Sequence, residues 1–240
     1  MSSEDPKYAN AEQMAQTNPS ALESGGVAVA PQPATRTASP SPLGLLSFGI
    51  TTFILGLYHC GAGLPNSDPS AGPGPDTAII GMALFMGGAA QFAAGMWEFK
   101  VGNIFGATAF TSYGAFWLSY SAFKIEAFGV AAGYKGDERA LSYALGIYLT
   151  LWGFLTLCFF LCALRTSIGL LSTLGTLIIA FLFLAISEFL KTNNAGSAVG
   201  MEKAGGAMSV ICAACAFYTG VSKLMVPEFT YLRLPEGHLA

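Results

Sequence analysis

Six apolar stretches, at roughly 43–63, 77–97, 104–123, 141–163, 167–190 and 204–226, constrain this 240-residue chain more than any other feature. Each is close to the ~20 residues a helix needs to cross a hydrocarbon core. The pattern predicts an all-α membrane protein with six transmembrane helices, and an even number of spans puts both termini on one side. Composition points the same way, because 53% of the residues are hydrophobic, only 10% are charged and the mean hydropathy is +0.54. Ordinary soluble domains do not show that balance. Net charge is −3 and no basic block occurs, so nucleic acid is not an expected partner. Lys7, Arg36, Lys100, Arg165, Lys223 and Arg233 fall on the side of the termini, against Lys124, Lys135, Arg139, Lys191 and Lys203 opposite. That split is too even to fix orientation.

Residues 1 to 38 are rich in Ser, Ala, Pro, Gln, Asn and Thr and lack aliphatic periodicity, which predicts a disordered tail. No charged n-region followed by an apolar h-region marks them as a secretory signal. Residues 39–226 then form one transmembrane domain and 227–240 a short C-terminal tail. The helix-opening motif Ser39-Pro40-Ser41-Pro42-Leu43-Gly44-Leu45 starts the first span. Ser41 suits an N-cap, and Pro42 the first helical position, where a missing N–H is harmless. Ser39-Pro and Ser41-Pro also fit proline-directed phosphorylation, although plain helix-start chemistry explains them as well.

Cys60, Cys158, Cys162, Cys212 and Cys215 all lie in or at the ends of apolar segments and read as small buried hydrophobes. Cys212 and Cys215 form a C-x-x-C, but the chain has only His59 and His238 and no second ligand pair beside either. No metal and no cofactor is expected. Two histidines cannot ligate a di-iron centre, which removes the histidine-box membrane oxidases. A G-x-x-x-x-G-K-[ST] motif is also missing, so nothing suggests transport driven directly by ATP.

The densest chemistry lies between Gly87 and Trp117, where two apolar segments join through Glu98-Phe99-Lys100-Val101-Gly102-Asn103. This reads as a transmembrane hairpin. Gly81, Gly88 and Gly95 recur every seven residues, a small-residue face that lets backbones approach in lipid. The second arm carries Thr108, Ser112, Ala115 and Ser119 beside Tyr113, Phe116 and Tyr120. Every polar side chain within the two helices is neutral, including Gln91, Thr108, Thr111 and Ser112. They are candidates for a solute path whose binding is weak enough for release. Equally, such hydroxyls can bond their own backbone or join helices.

The wording GG-x-x-Q-x-x-AG-x-x-E-x-K-x-GN-x-FG-x-TAFTSYG-x-FW resembles the signature of the acetate uptake transporter family (GPR1/FUN34/YaaH), in its fungal branch. The resemblance runs from about Ser39 to Lys223 and is nearly word for word over Gly102 to Trp117. Ser39-Pro-Ser-Pro-Leu-Gly-Leu45 resembles the family's N-P-x-P-L-G-L, with Ser39 replacing Asn. The resemblance implies cytoplasmic termini, a hexamer, and a hydrophobic constriction in each protomer. Carried over by position, that constriction is Phe48, Tyr113 and Leu177. An apolar ring opposes a hydrated anion and passes a small acid that has shed water or taken up a proton.

An internal echo links Glu98-Phe-Lys100-Val-Gly-Asn103 with Glu188-Phe-Leu-Lys191-Thr-Asn193. With three spans per half it suggests an inverted 3+3 repeat, an arrangement found in transporters, against chance similarity of apolar helices. His59 lies eleven residues after Phe48, and Glu188 eleven after Leu177. Eleven residues return a helix to within about 20° of its starting face and raise it roughly 16 Å. Both should therefore face the path at similar depth as a pH-sensing pair. The plainer alternative pairs Glu188 with Lys191, one turn on. The sequence thus reads as a non-enzymatic plasma-membrane transporter or channel for acetate and other short monocarboxylates, with proton coupling open. An ammonium exporter and a membrane sensor or scaffold are the rival readings.

Overall fold

The computed structural model describes residues 37–62, 73, 76–228 and 230–239. The stretch read as a disordered tail lies, up to residue 36, outside the described residues. Among the described residues there are six long helices: α1 (Ser41–His59), α2 (Ile79–Val101), α3 (Ile104–Lys124), α4 (Glu138–Cys162), α5 (Ile168–Leu190) and α6 (Ala195–Leu224). No strand occurs among them. Helices suit this setting because in lipid every backbone group must be satisfied within the segment. Five of the six, all but α3, are long and apolar enough to cross a membrane. α3 has 21 residues, but its hydropathy is diluted by Thr108, Thr111, Ser112, Tyr113, Ser119 and Tyr120.

Two turns repeat one device. Gly102 closes α2 in the left-handed region (φ 81°), and the Asn103 side-chain oxygen then accepts from the Gly106 N–H at 3.1 Å to cap α3. Between α5 and α6 the Asn194 oxygen accepts from the Ser197 N–H, also at 3.1 Å. This cap corrects the sequence boundary, since α6 begins at Ala195 rather than near 204. Its first turns, Ala195 to Ala204, contain good helix formers and no proline, so the cap suffices to extend the helix. The extension carries Glu202 onto α6. The opening of α1 also differs from expectation. Pro40 occupies the cap position, no side chain caps the helix, and the Ser41 hydroxyl instead donates to Glu98 Oε1 at 2.5 Å.

The helices pack in a ring: α4 on α5, α5 on α6, α6 on α1, α1 on α2 and α2 on α3. α3 and α4 complete it through large side chains, with the Tyr113 and Phe116 rings against Trp152. α1 is interior, with Leu45, Phe48 and Leu55 all buried, whereas α4 is peripheral. The outward face of α4 presents Leu151, Phe154 and Leu161.

α2 is not uniform. Residues Phe85–Ala90 form a π-helical turn, which winds one extra residue into the helix and rotates the residues beyond it. The seven-residue glycine spacing therefore does not give one face. Gly81 looks into open space, while Gly88 and Gly95 press on α3. A Cβ on Gly95 would lie 2.5 Å from the Thr111 backbone nitrogen, and one on Gly88 would lie 2.6 Å from Leu118 Cδ2. Gly95→Leu should accordingly lower the melting temperature in detergent sharply, because overpacking costs typically ~1–3 kcal/mol even where neighbours can relax, and here the neighbour is backbone. Gly81→Leu should leave it nearly unchanged. Equal melting temperatures for the two variants would show that the α2–α3 contact is looser than described.

Candidate functional site

The middle of the ring is hollow on both sides of a plug. On the side of Ser41 and Lys223 lies a cavity of about 220 Å³, cavity A, lined by Phe48 (α1), Gln91 (α2), Tyr113 (α3), Leu177 (α5) and Thr219 (α6). On the side of His59 and Lys191 lies cavity B, about 160 Å³. Between them is a void of about 30 Å³. Phe48, Tyr113 and Leu177 border both cavity A and the void, and Leu55, Phe116, Phe181 and Leu184 border both the void and cavity B. The three side chains picked out by position in the sequence thus stand together in the plug, each only 5% exposed.

Tyr113 organises that plug. Its ring lies 5.5 Å from Phe48, 5.7 Å from Phe159 and 6.4 Å from Trp152, centroid to centroid. Its hydroxyl donates to Thr156 Oγ1 at 3.0 Å, and Thr156 in turn donates to the Trp152 carbonyl at 2.7 Å. The phenol is therefore held by its ring contacts and by its hydroxyl, and so fixed it stands between cavity A and the void.

Polar groups near the plug are left without partners among the described residues. Gln91 is fully buried, and neither its amide nitrogen nor its amide oxygen has a hydrogen-bond partner there. The Thr52 hydroxyl, bordering the void, is likewise unpartnered. A buried polar atom left unpaired is unfavourable by ~1–3 kcal/mol, so such atoms in a cavity wall mark where a polar solute or water fits. The amide can donate to a carboxylate and accept from a protonated acid. The other sequence candidates lie elsewhere. Thr108 is exposed and donates to the Ile104 carbonyl, half-buried Thr111 sits at the α2–α3 contact with its hydroxyl oxygen unpartnered among the described residues, and half-buried Ser112 lines neither cavity nor the void. The stripe does not face one surface: Thr108 and Ala115 are exposed, whereas the Ser119 hydroxyl shares a 2.7 Å hydrogen bond with Tyr148 of α4.

Residues 19–240 match the profile of the GPR1/FUN34/yaaH family. The chain belongs to that family. It is similar to the "Succinate-acetate/proton symporter SatP" of Escherichia coli K12, with 37% identity over 203 residues, covering 85% of this chain and 97% of that protein. "Ammonia transport outward protein 2" of Saccharomyces cerevisiae is 35% identical over 207 residues, covering 85% of this chain and 67% of that protein. Among solved structures, the bacterial acetate channel SatP superimposes with a TM-score of 0.66 at 33% identity, covering 84% of this chain and all of that one.

Cavity B gives this family member a charged mouth, with partners other than those expected. His59 and Glu188 both line it, but they are not paired. His59 Nε2 stands 3.9 Å from Asp76 Oδ2 and 3.9 Å from Glu202 Oε1, while Glu188 Oε1 takes Lys191 Nζ at 2.6 Å. The early start of α6 supplies Glu202, and the connection before α2 supplies Asp76, neither of which follows from helical spacing. Lys124 Nζ and the Tyr120 hydroxyl also reach Asp76, at 2.6 and 3.1 Å. Burial pushes the Asp76 carboxyl up, yet Lys124, His59 and Tyr120 together hold it below the usual carboxylate range. Lys191 is pulled down by burial and held above its ordinary value by Glu188.

Sequence reasoning missed one more carboxylate. Glu98 is 1% exposed, accepting from Ser41 and from Asn103 Nδ2 at 2.8 Å, and so ties the start of α1 to the α2–α3 turn. Its signals were its place in the family wording and in the echo with Glu188, neither of which points to Ser41 as its partner.

This geometry has two measurable outcomes. Gln91→Leu, close in size, should raise the melting temperature by relieving an unpaired amide, whereas a structural glutamine would lower it. Asp76 has a depressed folded pKa, so its stabilisation is present above the ordinary value of ~3.9 and lost as pH falls through the lower folded one. Asp76→Asn should therefore destabilise at pH 7, with the difference from the parent shrinking below about pH 4. Thermal melts across pH check both, and a constant Asp76→Asn difference would remove the ion pair as its cause.

Proposed function

We propose that the chain moves acetate and other short monocarboxylates across a membrane, through a path inside each protomer that runs from cavity A past Phe48, Tyr113 and Leu177 to cavity B. The supporting observation is the plug itself, with unpartnered Gln91 on one side, unpartnered Thr52 in the void and a charged mouth beyond. Its apolar wall penalises a hydrated anion, because burying an unpaired charge is strongly unfavourable, and favours a carboxylate that is dehydrated or protonated. Cavity B gathers His59, Tyr120, Lys124, Glu188, Lys191 and Glu202 at one mouth, with Asp76 bonded to Lys124 and Tyr120 beside them, where a carboxylate can exchange hydration and a proton with the protein. We read α3 as the sixth span, the two Asn-capped turns as relics of an inverted 3+3 repeat, and the outward apolar faces of α2 and α4 as contacts of a hexamer. The setting is the plasma membrane with cytoplasmic termini, and no catalytic step is involved.

A second reading, ammonium export, draws on the name of the yeast relative. A neutral plug can pass NH₃, so the substrate decides. Uptake of labelled acetate and labelled methylammonium into proteoliposomes should show acetate alone moving faster than in empty vesicles. Phe48→Ala and Tyr113→Ala should admit longer acids, because a ring is removed from one wall. Methylammonium uptake without acetate uptake, or variants with the parental substrate range, contradicts the proposed path.

A further inference from the structure

The C-terminal segment, read in the sequence only as a short tail, is built into the wall of cavity A. Residues 230–239 run back along the turn between α4 and α5. The Leu239 N–H donates to the Thr166 carbonyl and the Ile168 N–H to the Gly237 carbonyl, both at 2.9 Å, and Ser167 and His238 form an antiparallel bridge. Tyr218 on α6 donates to the Pro235 carbonyl at 2.8 Å. Gly237 turns the chain in the left-handed region (φ 64°), and a Cβ there would lie 3.1 Å from Ile168 Cδ1. This strap delivers Glu236 to Lys223, with Oε2 2.7 Å from Nζ, and sets His238 3.9 Å from the same oxygen.

The position of that ion pair is what matters. Among the described residues, Lys223 is the one lysine or arginine in the lining of cavity A, and it also lines a third, open cavity of about 370 Å³ facing outward. Glu236 and Ser41 line both cavities too. The pair therefore stands in the partition between cavity A and its surroundings. Across it, an ammonium is already engaged by a carboxylate, and the oxygen position at 2.7 Å is the one that a free carboxylate would take.

We propose that Lys223 is a docking site for small monocarboxylates at the mouth of cavity A, and that Glu236 occupies it in cis as a tethered competitor. An arriving acetate displaces Glu236, which loosens the strap and joins the open cavity to cavity A. The proposal rests on the transport reading of cavity A. Magnitudes allow the exchange. A short flexible tether gives an effective concentration on the order of millimolar, and one pinned by hydrogen bonds, as here at Ile168, Tyr218 and Leu239, a higher one, so free carboxylate at or above that range competes. The pair is partly exposed, 34% at the Lys223 side chain and 18% at Glu236, so water screens it and the closed state does not lock. Blocking by a tether lowers apparent affinity by the open fraction.

Two measurements on the full chain test this. In proteoliposomes, Glu236→Gln should lower the half-saturating acetate concentration by about two- to fivefold at unchanged maximal rate, the range set by a partly exposed ion pair. Lys223→Gln should raise it, and the double variant should match Lys223→Gln. A pair that merely pins the strap predicts the same direction for both single variants, and that result, or a parental Glu236→Gln, overturns the proposal. The second measurement needs no transport. Tryptic cleavage after Arg233, exposed on the strap, should accelerate in the parent with sodium acetate and not with equal sodium chloride. In Glu236→Gln it should be fast and indifferent to acetate. Cleavage that answers to acetate in a chain that moves none would support the docking site and refute the transport reading alone. Cleavage indifferent to acetate in the parent refutes the docking site, whatever the flux.

Discussion

The contact on which the rest depends is Tyr113 held between Phe48 and α4. Its ring fills the centre of the helix ring, and its hydroxyl is tied to Thr156, which is tied to the Trp152 carbonyl. Aromatic pairs of this kind add about 0.5–1.5 kcal/mol each beyond area burial, and the buried hydroxyl bond adds roughly 1 kcal/mol. These terms stabilise the protomer and also set the plug in one place. The same side chain that joins α3 to α4 separates cavity A from cavity B.

Charge is distributed around that plug in a way that suits a path for weak acids. The centre is apolar with a few unpartnered neutral groups, Gln91 and Thr52, while ionised groups sit at the two mouths. At one mouth Asp76, Lys124, Glu202 and His59 form a cluster, with the Lys191–Glu188 pair beside it. At the other, Lys223 meets Glu236. Ions pair where water is near, and among the described residues nothing permanently charged lines the void between. A resident charge there would either hold the substrate or be unfavourable to bury.

Much of this was legible in the chain. Apolar run lengths located the helices, five of which are long and apolar enough to cross a membrane, and the words Leu-Gly-Leu-Leu-Ser-Phe48 and Phe-Thr-Ser-Tyr113 placed two members of the plug. Gln91 was legible as a polar residue in an apolar span. The illegible parts depended on partners distant in sequence or on departures from a regular helix. The π turn at Phe85–Ala90 rotated Gly81 away from Gly88 and Gly95. Thr108 and Thr111 went to backbone and packing, as the alternative for such hydroxyls allows. Ser41 left its cap for Glu98, 57 residues away. His59 and Glu188 reached one cavity as their spacing predicts, but Lys191 was nearer to Glu188, and Glu202 reached His59 only because Asn194 starts α6 early. The strap at Glu236 had no pattern to announce it, since its hydrogen bonds run to a turn rather than along an element.

Placing the solute is the most direct test of a path inside the protomer. Bromoacetate keeps the carboxylate and adds a heavy atom, so crystals of the full chain soaked in it report position through anomalous scattering. Such a path predicts bromine peaks in cavity A beside Gln91 and in cavity B, aligned through Phe48, Tyr113 and Leu177 of one protomer. Peaks confined to the spaces between protomers, with both cavities empty, would contradict it.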